Sequence, residues 1–139
     1  MVDTVAKDPI YLWMTDASVT AEDGPVAAVT ANIQYYMSMT YFFVRYVREL
    51  RALSLEQALK KVCSVPAEHF KLRDRGVLEV GKFADINIFA LKDLTINATF
   101  EHFSRLCGGM DYVIVNGTPV IAKGVHTTAR AGRVLRRTV

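Results

Sequence analysis

The residues able to do chemistry in this chain are few and widely spaced, and Asp16 stands first among them. It follows directly on Ile10-Tyr11-Leu12-Trp13-Met14-Thr15, a continuous run that predicts a strand buried on both faces. A carboxylate there can ligate a hard or borderline cation and can accept a proton from water, the two jobs of a metal-site general base. The same position also suits an Asx-turn or N-cap residue closing a strand, and position alone leaves both readings open. A catalytic metal site needs about three protein ligands. His69, His102 and His126 are the only histidines, and no two are spaced H-x-H or H-x-x-x-H, so each reads as a structural histidine. Cys63 and Cys107 form no C-x-x-C pair and lack a nucleophile's histidine context, which leaves two free thiols. There is no phosphate-binding glycine loop and no G-x-S-x-G, and Gly108-Gly109 reads as a turn.

The elements that must position these groups come next. Ala17 to Pro25 reads as a loop, and Asn32 to Phe43 as loop running into a helix that carries Phe43, Val47 and Leu50 on one face. Ser54-Leu55-Glu56-Gln57 is a capping box opening an amphipathic helix that ends near Ser64. Pro66 to Phe70 suits a further short helix with proline in its first turn. Gly76 to Phe89 reads as strand, turn at Gly81-Lys82, and a second strand in which Ile86 and Ile88 alternate with Asp85 and Asn87. Ala98 to Leu106 fits either a short helix or a loop. Tyr112–Val115 and Thr118–Ala122 flank Asn116-Gly117, a strong hairpin signal.

Composition narrows the class. The chain has 139 residues, 51% hydrophobic and 22% charged, which is globular and the size of one ordinary domain or a piece of a larger one. Its net charge of +3 gathers toward the end, at Arg130, Arg133, Arg136 and Arg137. No aromatic residues interleave with them, so a solvated tail is expected and no nucleic-acid partner. Gln34, Ser38, Thr40 and Arg45 interrupt the apolar stretch from Ile33 to Val47, so no membrane partner is expected. With free thiols and no signal peptide at the start, the expected location is cytoplasmic.

The stretch Gly76-x-Leu78-x-x-Gly81-x-x-Ala84-Asp85-Ile86-x-Ile88-Phe89 resembles the small β-domain of metal-dependent amidohydrolases. Leu72-Arg73-Asp74-Arg75 before it narrows the resemblance, as do Val113 to Val120, Gly124-Val125-His126-Thr127 and Gly132-Arg133-Val134-Leu135-Arg136 after it. Together these are similar to the C-terminal end of the D-aminoacylase (N-acyl-D-amino-acid deacylase) branch, from about Leu12 onward. The resemblance implies an α/β fold: the C-terminal fragment of a (β/α)8 barrel over residues 1–71, with its last strand and helices, and a small β-domain over 72–139. It makes Met14-Thr15-Asp16 the end of the eighth barrel strand, where catalytic groups of such barrels sit. Asp16 is then a metal ligand and the catalytic general base and acid; no other cofactor-binding residue is implied. The parent cofactor is zinc, and the parent reaction hydrolyses the linear amide of an N-acyl-D-amino acid. The family's His-x-His, bridging ligand and later histidines would precede Met1. A His-Pro-Arg-like segment is also expected after the aspartate, yet no histidine lies between Ala17 and Tyr46.

From this follow the expectations that the isolated chain binds no zinc and is inactive, as a truncated product, a dissected fragment or half of a split enzyme. Its partner would be the missing N-terminal barrel portion, or a second copy through exposed apolar surface. Two alternatives stand beside this. One is a non-catalytic binding or structural module that reuses the β-domain. The other is a fragment of a hydantoinase-like or deaminase-like branch, against which the G-x-H-T and G-R-V-L-R ending argues.

Overall fold

The computed structural model describes residues 4, 7, 8, 11–17 and 32–136. Ile10, most of the expected loop from Ala17 to Pro25, and Arg137 lie outside them. What is described is a helical layer followed in sequence by an antiparallel sheet.

Helix α1 spans Gln34–Phe42 and starts earlier than its sequence suggests. The Asn32 side chain supplies the reason, because its Oδ1 accepts the Gln34 N–H at 3.1 Å and satisfies one of the orphan donors of the first turn. The helix then widens into a π-helical stretch, Phe43–Glu49, closed by the Leu50 N–H donating to Arg45 O at 2.9 Å. Wider turns shift the periodicity. Phe42, Phe43, Val44, Tyr46 and Val47 all reach the core, while Leu50, expected on that face, is left exposed.

Helix α2, Leu55–Val62, opens on the expected capping box. Ser54 Oγ accepts from Gln57 N at 3.2 Å, and Gln57 Oε1 accepts from Ser54 N at 2.9 Å. Helix α3 follows as Ser64–His69, with Pro66 in its first turn. Phe42, Leu53, Ala58 and Leu94 lie at the centre of the core. Trp13 stacks on Phe42 with ring centroids 4.5 Å apart, and Phe43 meets Phe89 of the sheet edge-on at 5.9 Å.

Two expected strands are absent. Residues 11–15 pair with no strand among the described residues. A strand exists only through its ladder, and here the segment is held by other means: the buried Lys61 ammonium donates to Tyr11 O at 2.8 Å and also to Asp8 O, while Trp13 packs into the aromatic core. The first arm of the Gly76–Phe89 unit likewise forms no ladder, and Leu78 and Val80 are exposed. Gly76 and Gly81 bracket it at φ +86° and +90°, so the chain turns at both ends and leaves too little extended backbone to pair.

The sheet comprises β1 (Ile86–Phe89), β2 (Met110–Val115), β3 (Thr118–Ala122) and a two-residue β4 (Val125–His126), in that order and all antiparallel. Asn116-Gly117 makes the expected hairpin turn, with Val115 opposite Thr118 and both turn residues at positive φ. Ile86 faces Ile114 and Ile88 faces Tyr112 across the first pair. Ala98 to Leu106 is a loop, closed by Asn97 Nδ2 donating to Leu106 O at 2.8 Å. Arg48 ties the layers together: its Nη1 donates to the carbonyls of Leu91, Lys92 and Leu94 at 3.2, 3.2 and 2.7 Å. No helix among the described residues is long and apolar enough to cross a membrane.

The two bracketing glycines differ in surroundings. A Cβ on Gly76 would lie 2.4 Å from Ala67 Cβ and 3.0 Å from Cys63 O, whereas one on Gly81 meets nothing within 4 Å. Gly81→Ala is therefore expected to cost about 1–2 kcal/mol, the left-handed backbone penalty alone. Gly76→Ala should cost clearly more, because α3 must also shift. Equal midpoints in denaturant unfolding would refute the difference.

Candidate functional site

Asp16 sits at the end of the segment pinned by Trp13 and Lys61, exposed and at φ +47°. Aspartate tolerates this left-handed region better than most residues do. Its backbone carbonyl accepts from Gln34 Nε2 at 3.2 Å, which fastens it to the first turn of α1. The carboxylate itself has no hydrogen bond or ion pair among the described residues, so its oxygens remain available to a cation or to water.

The described residues do not gather three His, Cys, Asp or Glu side chains that could hold a metal ion. The histidines are dispersed. His69 is exposed, with its ring edge-on to Phe70 at 5.1 Å. His102 is exposed in a turn, where its N–H donates to Thr99 O at 3.2 Å. His126 Nδ1 accepts from the Thr128 N–H at 3.1 Å, a structural hydrogen bond. Both thiols are free, and burial pushes the pKa of each above the ordinary cysteine value. Cys107 Sγ further donates to Tyr36 O at 3.1 Å. Neutral thiols are poor nucleophiles.

A second polar cluster forms around Asp85, the aspartate of the Ala84-Asp85 pair. Asp85 Oδ1 accepts from the Asn116 N–H at 2.7 Å, and Oδ2 pairs with Arg75 Nη1. Arg75 Nη2 reaches Asn116 Oδ1, which also accepts from Arg133 Nε and Nη2 at 3.2 and 3.0 Å. Asn116 Nδ2 donates in turn to Ala131 O at 2.6 Å. Both guanidinium groups lie over the Phe83 ring, 4.5 and 3.9 Å from its centroid. Both Asp85 oxygens and both polar atoms of the Asn116 side chain are engaged in holding geometry, while Arg75 Nε is buried without a hydrogen bond, 3.9 Å from Asp74 Oδ1. Arg75, Asn116 and Arg133 escaped the sequence reading although the motifs contain all three. The signal was an aspartate opening a strand, with an arginine ten residues before it and an Asn-Gly turn further on.

The cluster and the thiols each give a test. Asp85→Ala leaves the mostly buried Arg75 and the Asn116 N–H without their acceptor, and should cost about 1–3 kcal/mol of unfolding free energy with faster amide exchange at Asn116. Unchanged exchange there would show that the turn holds without Asp85. Because a raised pKa lowers the thiolate fraction at any given pH, iodoacetamide at pH 8 should alkylate Cys63 and Cys107 more slowly than free cysteine. Alkylation at the free-cysteine rate would contradict the raised pKa of both thiols.

The Amidohydrolase family profile (Amidohydro_3) matches residues 4–121. An N-acyl-D-glutamate deacylase of Alcaligenes xylosoxydans xylosoxydans is 39% identical over 126 residues, covering 91% of this chain and 26% of that protein. A D-aminoacylase of the same organism is 41% identical over 93 residues, covering 67% of this chain and 19% of that protein. The chain thus spans about a quarter or less of the length of these curated relatives. Among solved structures it is similar to N-acyl-D-glutamate deacylase from Bordetella bronchiseptica, complexed with zinc and a phosphonate mimic of the reaction's tetrahedral intermediate. That likeness has a TM-score of 0.69 and 34% identity, and covers 77% of this chain and 22% of that one. The chain belongs to the amidohydrolase family, in which it is similar to the D-aminoacylases and N-acyl-D-amino-acid deacylases.

Proposed function

We propose that this chain is the C-terminal part of a zinc-dependent enzyme that hydrolyses N-acyl-D-amino acids, with Asp16 as its contribution to the catalytic centre. The observation that carries this is a carboxylate without a side-chain partner among the described residues, in a chain 39% identical to an N-acyl-D-glutamate deacylase over 126 residues. Its oxygens are the donor type that zinc accepts, so Asp16 fits as one ligand. One ligand does not make a site, and the others would come from the rest of the barrel. Zinc, when bound, supplies an acidified water at neutral pH. Asp16 would accept a proton from the attacking water and return it to the leaving amine, so that the water's oxygen would end on the acyl carbon and the C–N bond would break to give a carboxylate and a free D-amino acid.

Residues 1–71 belong in this reading to the barrel and 72–139 to the small β-domain. The closure of α3 supports that boundary: Lys71 lies at φ +58° and the Leu72 N–H donates to Ala67 O at 2.8 Å. Exposed apolar side chains such as Tyr11, Met14, Leu55, Leu59 and Phe70 would face the remaining barrel. The free thiols support a reducing, cytoplasmic setting.

The test combines the 139-residue chain with the complementary barrel portion of an N-acyl-D-glutamate deacylase and measures zinc content and N-acetyl-D-glutamate hydrolysis. The chain alone should hold less than one tight zinc ion. The combination should bind zinc and turn over, and Asp16→Ala should lower kcat by about 10²–10⁴-fold. Full activity of the Asp16→Ala combination would overturn the role given to Asp16. Cleavage of a hydantoin in place of the acyl amino acid would move the chain to another branch of the family.

A further inference from the structure

A groove of about 350 Å³ lies away from Asp16, between the segment that leaves α3 and the C-terminal tail. That volume is in the range of small-molecule sites. Its charged lining is Lys71, Arg73, Arg75, Arg133 and Arg136 against the single carboxylate of Asp74. Leu72, Val134 and Leu135 add an apolar wall.

The cations are not equivalent. Arg75 is neutralised by Asp85, with Asp74 3.9 Å from its Nε. Arg133 spends two donors on the neutral amide oxygen of Asn116, so its charge meets no carboxylate among the described residues. The side chains of Arg73 and Arg136 have no hydrogen bond or ion pair there. Three guanidinium groups with no ion pair among the described residues therefore share one concavity with the single carboxylate of Asp74, and the excess positive charge favours an anionic guest.

The walls are also fixed in advance. Lys82 Nζ donates to Arg73 O at 2.9 Å, and the Phe83 N–H donates to Asp74 O at 3.0 Å. On the tail side, Asn116 holds Ala131 O and Arg133. Preorganised walls lower the ordering cost of binding.

We propose that this groove is a binding site for a small organic oxyanion. Arg73 and Arg136 would clamp a phosphate-monoester or carboxylate group, and its apolar portion would lie along Leu72 and Leu135. The planar guanidinium fork suits either anion, paired through two parallel hydrogen bonds. The site is independent of the chemistry proposed at Asp16 and needs no metal.

The experiment is calorimetric titration of the 139-residue chain with inorganic phosphate, phenyl phosphate and benzoate. Phenyl phosphate or benzoate should bind more tightly than inorganic phosphate, with affinity falling as salt is raised. Whichever of the two binds more tightly identifies the head group. The double variant Arg73→Gln/Arg136→Gln should weaken binding at least about tenfold, the loss of one to two charge-assisted hydrogen bonds. Arg105→Gln, an exposed arginine outside the groove, should not change it. A second measurement needs no variant: phenylglyoxal modification read by mass spectrometry, in which phenyl phosphate should protect Arg73 and Arg136 but not Arg105. Absence of saturable binding, equal weakening by Arg105→Gln, or absence of protection would each overturn the site.

Discussion

One carboxylate joins three parts of this chain that are far apart in sequence. Asp85 opens β1, takes the main-chain N–H of the hairpin turn at Asn116, and pairs with Arg75 in the segment leaving α3. Through Asn116 the same network reaches Arg133 and Ala131 of the tail. Arg75 is buried well beyond the norm for arginine, and a buried guanidinium is tolerable only with its partner in place. The placement of strand, turn and tail thus depends on this pairing. The Ala84-Asp85 pair of the family motif has a structural reason here. Aspartate is short enough to reach the turn and has two oxygens for two different donors.

A second constraint is how the helical layer meets the sheet. The π-helical stretch spends regular α-helical bonding to bring adjacent aromatic residues inward, and Phe43 then reaches Phe89. Arg48, on the same stretch, collects three carbonyls of the connection after β1. Apolar contact and charge-assisted hydrogen bonding act at the same junction, so the widened turn and the docking of β1 are one event. Asp16 gains from this indirectly. It is held by Gln34 at the start of α1 and by Trp13 stacked on Phe42 near the end of that helix.

Local chemistry was legible in the sequence. The Ser54–Gln57 capping box and the Asn116-Gly117 turn each depend on residues within a few positions of one another, and both form as read. Alternation placed β1 at Ile86–Phe89. Readings that depended on neighbours did less well. The run before Asp16 has the composition of a buried strand, but a strand is made by the chains beside it, and 11–15 have none among the described residues. The arm from Val77 to Val80 has apolar residues and yet ends in two left-handed glycines. Leu50 was misplaced because a 3.6-residue period does not hold through a π turn. Asp16 could be singled out from its position, but its role rested on resemblance. Asp85 opening a strand and the Asn-Gly turn were visible as separate signals, but no local rule brings residues 75, 85, 116 and 133 together into one network.

The sheet order has a consequence for how the domain assembles. Strands β2, β3 and β4 follow one another through tight turns, so their pairing closes only short loops and falls on the microsecond scale of hairpins. Strand β1 joins from the far side of the 95–109 segment, and the Asp85–Asn116 bond spans 31 residues. Ordering that length of chain before any contact repays it is the slower step. The turn amide that Asp85 recognises is then already presented when β1 arrives. The meander acts as a template, and the motif aspartate is the group that reads it.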